Sequence, residues 1–549
     1  MNGIIAQIRR ALNFEVRFGD GESTQKAPKI LRGMVFLFPA LIFLLGSVLG
    51  QVKGANYDGI NLSLYDKKTM IAICIFEFIV FLILIALYEA LNYKEKSGKA
   101  VLFVLLVAII FRLAAIALIP VLQASDFSIY YQLGQFVAQG DIQGAAEVLN
   151  EFGLNSLGGL ALLNGALAFL SGGSALGFEI SQAMVQCTSI YLVYKIGCLI
   201  SQRVGYFAAL FLALYPTNIV YVTVATNQHL STMFMLLSIW ALIRGLLCQS
   251  PSVGKTIRVG MLSGALLAVM YYCHPSTVPI LAAVSTWIIY LFIRRPKTLL
   301  PCLIILASLL LAYRGTLTVG DAMMMRMGLT TQSSDVGSML GKFVVGLNHE
   351  TNGGLTSPYQ GFDNEMDLLN HIPKDEVDQY CLEKIRERAL DPRLPQLLVR
   401  KERIMWHSID NAITWTEISV NEWADTYGMQ DTQEYLTAMR ICEGVKKADY
   451  WYLFLHYIAF SISSGIIIFL KNNIHNGCTI KKAREFAFLP MLIIDAWIVV
   501  FLLIEIQGRY RYSMMPFVFL ISAVGVTQIV SIVLERTNKR KTLNKSENQ

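Results

Sequence analysis

The feature that most constrains this chain is a series of twelve apolar runs, each long enough to cross a bilayer as a helix. The runs lie at about 33–50, 70–91, 100–120, 176–199, 204–224, 228–247, 257–273, 275–293, 298–314, 449–470, 486–507 and 512–534. Of the 549 residues, 54% are hydrophobic and only 15% are charged, which is too apolar for a soluble protein. The sequence therefore predicts an all-α polytopic membrane protein with about 12 transmembrane helices.

The positive charges of the chain indicate its orientation. Counting those near the span ends, one set of alternate connections carries about 25 Lys and Arg, and the opposite short loops carry about 5. Because positive loops stay in the cytoplasm, both termini are expected there, in a multi-pass protein of the cell membrane. The apolar stretch 154–171 is interpreted as a short helix at the outer interface, since counting it as a span would reverse this asymmetry. The net charge of +7 is therefore a topology signal, and nucleic acid is excluded as a partner in favour of membrane lipids.

The spans and loops divide the chain into five predicted segments. These are a cytoplasmic N-terminal segment (1–32), an N-terminal transmembrane module (33–314) with a first outer catalytic loop (121–175), an extracytoplasmic mixed loop domain (315–448), a C-terminal transmembrane module (449–534) and a basic cytoplasmic tail (535–549). The later part of the loop domain has helical periodicity with a break at Pro392. The nine cysteines are scattered, and only Cys381 and Cys442 share a polar region, where a bridge is left open.

The most conspicuous polar group is Asp126, which follows the third span after a proline break at Pro120. One interpretation is local: Ser125 or Asp126 caps the amphipathic helix that begins there. The other interpretation is that this carboxylate, at the outer mouth of a membrane helix, belongs to a functional site.

Further polar residues collect at the predicted outer ends of other spans, namely Glu179, Gln228, His229, His274, Arg509 and Arg511. A carboxylate, two histidines and an Arg pair at one depth can bind an anionic headgroup while one acid handles a proton. Each residue also has a plainer interpretation. The arginines can snorkel beside the neighbouring tyrosines, and the histidines can cap the helices that follow them.

The order of these motifs resembles the GT-C superfamily of membrane glycosyltransferases, in particular bacterial relatives of protein mannosyltransferases and aminoarabinose transferases. The matching stretches, spread over roughly 100–530, are 125–130, 155–158, 214–218, 227–231, 346–348 with 353–354, 391–392 with Lys401 and Trp406, and 509–516. The two N-terminal spans lie outside this likeness.

The resemblance implies an inverting transfer in which Asp126 is the catalytic base and the donor is a sugar on a polyprenyl phosphate. It assigns Arg509, Arg511, His274, Tyr130 and Asn348 to substrate or phosphate binding. A possible site at the second outer loop comprises Gln228, His229 and Glu179. Family members often carry an acidic residue in that loop, where this chain has Gln228 and His229, so the role of the loop stays open. Whether a divalent metal binds also stays open, and no cofactor is assigned. The acceptor, whether protein, lipid or envelope polymer, is unknown.

Two other functions fit a chain of this kind. A transporter or flippase of lipid-linked glycans needs a continuous polar path through the spans, whereas only Glu77, Arg112, Lys195 and Asp495 lie deep in them. A wall-polymer polymerase or ligase would also use an outer loop over lipid-linked saccharides. Polar groups at the outer ends of the spans favour a glycosyltransferase over a channel or transporter.

Overall fold

The computed structural model describes residues 26–52, 72, 75–80, 82–83, 86, 99–151, 155–247, 252–294, 298–333, 340–355, 359–373, 375–407, 411–469 and 477–547. Within these ranges the chain is helical and forms no strand beyond an isolated bridge between Tyr359 and Phe362. The all-α fold predicted from the apolar runs is confirmed.

The helices up to the large insert are α1 (Lys26–Val52), α2 (Lys99–Leu118), α3 (Asp126–Ala138), α4 (Ile142–Glu151), α5 (Gly158–Leu170), α6 (Ala175–Ile200), α7 (Gln202–Leu214), α8 (Pro216–Val220), α9 (Gln228–Leu247), α10 (Val253–Cys273), α11 (Thr277–Arg294) and α12 (Leu299–Arg326). The insert and the C-terminal part contain α13 (Leu340–Gly346), α14 (Glu365–Asn370), α15 (Val377–Ala389), α16 (Leu394–Glu402), α17 (Asn411–Tyr427), α18 (Gln433–Phe469), α19 (Gly477–Phe486), α20 (Phe488–Leu503) and α21 (Met515–Glu547).

Nine helices of the described part are long and apolar enough to cross a membrane, and two bent pairs raise the number to eleven. The chain is therefore a polytopic membrane protein. Each predicted span except the second has a counterpart among these helices; the second, at 70–91, lies largely outside the described residues. The count of twelve stays a prediction. Helix α5 and its preceding turn form a shorter apolar helix, Asn155–Leu170, which is not of spanning length.

One bent pair explains how a predicted span is broken near the site. Helices α7 and α8 meet at an angle of 63°. Tyr215 precedes Pro216 and has extended backbone angles, as a residue before proline prefers. The break turns the chain towards the loop that leads into α9.

Close helix packing holds the bundle together. A Cβ added at Gly264 of α10 would lie 2.1 Å from the carbonyl oxygen of Leu309 on α12, so only glycine permits this approach. At the other side of the bundle, the ring of Phe43 on α1 stacks on Tyr457 of α18 with centroids 4.6 Å apart. Phe43 also contacts Trp406, which belongs to the insert. Helix α1 therefore links the insert to the membrane bundle.

The five predicted segments stay a prediction. Two helices run across predicted boundaries: α12 continues past 314 to Arg326, and α18 begins at Gln433, before 448. Both helices continue as polar helix beyond their apolar runs. The described part of the insert consists of helices and loops, and the helical pattern breaks at Asp391, next to Pro392. Cys381 and Cys442 are both buried and free, so no disulfide bridge joins them.

Candidate active site

The loop that follows α2 presents Asp126 as the first residue of α3. Ser125, at the N-cap position, makes no side-chain capping hydrogen bond. Its backbone φ is +53°, a conformation that costs roughly 1–3 kcal/mol for a residue other than glycine. The local capping interpretation therefore does not describe this helix start.

The carboxylate of Asp126 lies 3.2 Å from the guanidinium of Arg509, which is 383 residues away in the sequence. The Arg509 side chain is only 12% exposed, whereas that of Asp126 is 47% exposed. The first outer loop and the start of the last span thus meet in an ion pair that ligands can reach from the Asp126 side.

Three aromatic rings hold the Arg509 guanidinium in place. Its central carbon lies 5.5 Å from the ring of Phe127, 5.3 Å from that of Trp415 and 5.9 Å from that of Tyr510. The amide nitrogen of the Gln228 side chain donates to the backbone oxygen of Arg509 at 3.0 Å. Such cation–π contacts restrict the orientation of the guanidinium. Arg509 is therefore a fixed cation.

A second ion pair lies on the other side of Tyr510. The Tyr510 hydroxyl donates to Glu505 at 2.9 Å, and the Gln507 side chain donates to the same carboxylate oxygen at 3.1 Å. The other oxygen of Glu505 accepts a hydrogen bond from the Lys342 ammonium group. Glu505 is 2% exposed and Lys342 is 38% exposed, so the cation is the accessible partner.

His274 lies between these two ion pairs. Its ring centroid is 6.2 Å from that of Tyr510, and its Nδ1 is hydrogen-bonded to the Ser276 hydroxyl at 2.7 Å. Burial, together with the positive charges of Arg509 and Lys342, lowers the pKa of His274 to about 4. The imidazole is therefore neutral at neutral pH and offers hydrogen bonding, not charge, to an anion.

The predicted substrate residue Tyr130 also lies in this region. Its ring packs edge-to-face on Phe127 with centroids 6.0 Å apart. Burial and the nearby Asp126 carboxylate raise the pKa of Tyr130, so its phenol stays protonated. Tyr130 can donate a hydrogen bond but cannot act as a base.

Two other predicted binding residues make buried structural contacts instead. Arg511 is fully buried, donates to the Met405 carbonyl at 3.1 Å and pairs with Asp449 at 3.6 Å. Asn348 is 2% exposed and donates to Glu365 at 2.7 Å. The structure brings neither to the Asp126–Arg509 pair: Arg511 points to the bundle interior because alternate positions of this turn face opposite sides.

The three residues of the possible second-loop site have different surroundings. Gln228 supports the Arg509 backbone, but His229 is 1% exposed, and its ring nitrogens are hydrogen-bonded to Gln186, Tyr512 and the Tyr221 carbonyl. Glu179 lies near the start of α6, where its charge adds to burial in raising the pKa of Tyr131. His229 is thus a core residue.

Backbone contacts fuse the insert to the segment that carries Glu505. The amide of Glu505 donates to the Lys342 carbonyl at 2.9 Å, and that of Ile506 donates to the Gly353 carbonyl at 3.0 Å. Lys401 is fully buried and donates to the carbonyls of Gly346 and Ile504 at 2.8 and 2.6 Å. A Cβ at Gly346 would lie 2.2 Å from Ile504. These contacts fix the segment that carries Lys342 against the segment that carries Glu505.

Within the described residues, no group of three or more His, Cys, Asp or Glu side chains comes together as a metal site. The acid that family members often carry in the second loop is replaced here by Gln228 and His229, and Asp126 faces Arg509. These residues do not fit a divalent metal.

Sequence reasoning did not single out Lys342, Trp415 or Glu505 as binding residues. Glu505 appeared only as part of the last outer connection, and the other two lie in the insert without a motif around them. Their position depends on how the insert folds back onto the outer ends of the spans, which periodicity does not reveal.

Residues 160–319 match the family described as dolichyl-phosphate-mannose-protein mannosyltransferase, a GT-C domain of protein mannosyltransferase type. No curated protein and no solved structure matches the chain. The matched region runs from α5 into α12 and contains Gln228 and His274, but neither Asp126 nor Arg509. It supports a membrane glycosyltransferase of the GT-C kind, and the roles of the two ion-paired residues depend on geometry.

Proposed function

We propose that this protein transfers a sugar from a polyprenyl-phosphate donor to an extracytoplasmic acceptor, with inversion at the anomeric carbon. The observation that carries the proposal is the Asp126–Arg509 ion pair, at the end of the bundle that the insert covers. It combines a half-exposed carboxylate, suited to accept a proton, with a fixed guanidinium, suited to bind a phosphate.

The reaction moves one proton and one electron pair. The acceptor's nucleophilic oxygen attacks the anomeric carbon, and its proton passes to the Asp126 carboxylate. The bond from the anomeric carbon to the phosphate oxygen breaks on the opposite face of the sugar, and its electron pair stays on the phosphate. The products are the glycosylated acceptor, a polyprenyl phosphate and a protonated Asp126, which then releases its proton to solvent.

The ion pair itself has to open for this chemistry. No sugar ring fits between atoms that are 3.2 Å apart, so the two side chains have to separate for a sugar to enter. Donor binding separates Asp126 from Arg509 and places the sugar between them. When Asp126 takes the proton it loses its charge, and Arg509 is then free to neutralise the charge that develops on the phosphate.

The membrane orientation belongs to the same proposal. The Lys and Arg asymmetry supports an orientation with both termini in the cytoplasm and with the insert and the candidate site outside the cell membrane. A polyprenyl donor leaves its phosphate at headgroup level, which is the depth expected for the outer ends of the spans. Membrane lipids surround the bundle, and the acceptor is a protein, lipid or envelope polymer.

The test is a donor panel. Purified protein in lipid nanodiscs is incubated with polyprenyl phosphates carrying different sugars and with an envelope extract as the acceptor source, and release of polyprenyl phosphate is followed by mass spectrometry. We expect release with at least one sugar, dependent on the extract. Transport of an intact lipid-linked glycan across proteoliposomes, with no release from any donor, would contradict the proposal and support a flippase.

A further inference from the structure

We propose that Lys342, delivered by the insert, is a second cation for the donor phosphate, and that the hydrogen bond from the Glu505 amide to the Lys342 carbonyl fixes the segment that carries it. This inference rests on the proposed function. It assigns a binding role to a residue outside the matched GT-C region, on helix α13 of the insert.

The first argument is exposure. In the Lys342–Glu505 pair the carboxylate is 2% exposed and is already bonded to Tyr510 and Gln507. The lysine side chain is 38% exposed. An ammonium group has three donors, so one bond to Glu505 leaves others for a ligand.

The second argument is position. Tyr510 joins the two cations: its hydroxyl bonds the carboxylate that holds Lys342, and its ring lies 5.9 Å from the Arg509 guanidinium. His274 feels the positive charge of both Arg509 and Lys342, which places all three around one region. A phosphate bound there faces a guanidinium, an ammonium and a neutral imidazole.

The third argument is charge balance. In the ligand-free site each cation is already paired with a carboxylate, Arg509 with Asp126 and Lys342 with Glu505. The donor is a phosphodiester with one negative charge, and the departing phosphate monoester carries about −1.5 to −2. Protonation of Asp126 frees Arg509 for about one of these charges. Lys342 stays paired with Glu505, but its remaining N–H groups can donate hydrogen bonds to the charge that is left on the phosphate.

The fourth argument is rigidity. The amide of Glu505 donates to the carbonyl of Lys342 itself, and Lys401 donates to Gly346 at the end of the same helix and to Ile504. The backbone that carries Lys342 is therefore fixed to the backbone that carries Glu505. Such support keeps a binding group in position without cost at the moment of reaction.

The experiment compares a variant that removes the positive charge of the Lys342–Glu505 pair with a variant that removes its negative charge. Wild type, Lys342→Gln and Glu505→Gln are purified in neutral-lipid nanodiscs, and the Kd is measured for a polyprenyl phosphate and for the matching polyprenol. We expect Lys342→Gln to weaken polyprenyl phosphate binding about tenfold without affecting the polyprenol. Glu505→Gln should bind the phosphate as tightly as wild type or more tightly, because its lysine is released from a competing charge.

An ion pair that only anchors the insert predicts a different pattern, in which both variants lose thermal stability and phosphate binding together. That result overturns the inference. Lys342→Arg should restore binding, and Lys384→Gln, which removes an insert lysine paired with Glu387, is the matched control. If Lys342→Gln cannot be purified, the sign of the Glu505→Gln effect decides: weaker phosphate binding contradicts the inference.

A further variant separates this inference from the proposed function. If Arg509→Lys weakens phosphate binding and Lys342→Gln does not, the role of Lys342 is wrong and the proposed donor site stands. If wild type binds polyprenyl phosphate and polyprenol equally well, both proposals fail.

Discussion

Replacing Arg509 by Lys keeps the positive charge at the candidate site but removes the planar guanidinium. In the structure that group donates to Asp126 at 3.2 Å and contacts three aromatic rings at 5.3 to 5.9 Å. Lysine is a point charge and cannot offer the parallel donors of the guanidinium to a phosphate. The lost fork and ring contacts are worth about 2 kcal/mol, or roughly a 30-fold increase in the donor Kd.

Arg511→Lys is the matched control for this change. Arg511 is two positions further along and is fully buried beside Asp449. The same substitution there should lower the free energy of unfolding by about 2 kcal/mol and leave donor affinity unchanged in the folded protein.

The assay measures the Kd of a polyprenyl-phosphate sugar and the thermal unfolding midpoint for both variants in the same nanodiscs. Wild-type affinity in Arg509→Lys would refute the reasoning, because it would mean that the guanidinium only snorkels beside aromatic rings. A weakened Kd in Arg511→Lys at unchanged stability would move the phosphate site to that residue.

Three more predictions concern the insert and the topology. Asn348→Ala should destabilise the protein by about 1 kcal/mol, since it removes one hydrogen bond to the buried Glu365 carboxylate, which stays paired with Arg388, and the Kd for the sugar donor should not change; a Kd defect at unchanged unfolding midpoint would return Asn348 to the site. Burial lowers the pKa of Lys401 to about 7, so the unfolded state binds more protons between about pH 7 and 10.5, and wild-type stability should rise with pH there, by about 1 kcal/mol per pH unit. The unfolding midpoint of Lys401→Met should lack this rise, and parallel pH profiles would contradict the assignment. Cysteines at Gln143 and Glu383 should react with an impermeant thiol reagent in intact cells and one at Lys481 should not; the reverse pattern would invert the topology.

The helices were predictable because hydrophobic length and periodicity are local properties. The predicted runs correspond to the described spans, and the short helix at 155–170 follows from its length and from the charge asymmetry. The ends of α12 and α18 were not predictable from hydropathy, because polar helix continues beyond each apolar run. Helix propensity and packing in the insert, not membrane thickness, determine where those helices stop.

The site was predictable only in part. Asp126 and Arg509 stand out in the sequence because ionisable groups at the ends of apolar runs are costly to place there without a partner or a function. Of the two arginines, the sequence favours Arg509, which directly follows Gly508 where the backbone can turn. In the fold, Arg511 is buried against Asp449. Lys342 and Trp415 could not be found, because their proximity to Arg509 or Tyr510 depends on long-range packing of the insert.

The most direct test of the catalytic assignment is the turnover of Asp126→Asn. Asparagine keeps the shape of the side chain and can still accept a hydrogen bond from Arg509, but it cannot take the acceptor's proton. Because Asp126 is half-exposed, the variant should lose no more than about 1 kcal/mol of stability. We predict donor binding within threefold of wild type and a turnover of polyprenyl-phosphate sugar reduced by about 10²–10⁴-fold. Near-normal turnover in a folded Asp126→Asn protein would contradict the account.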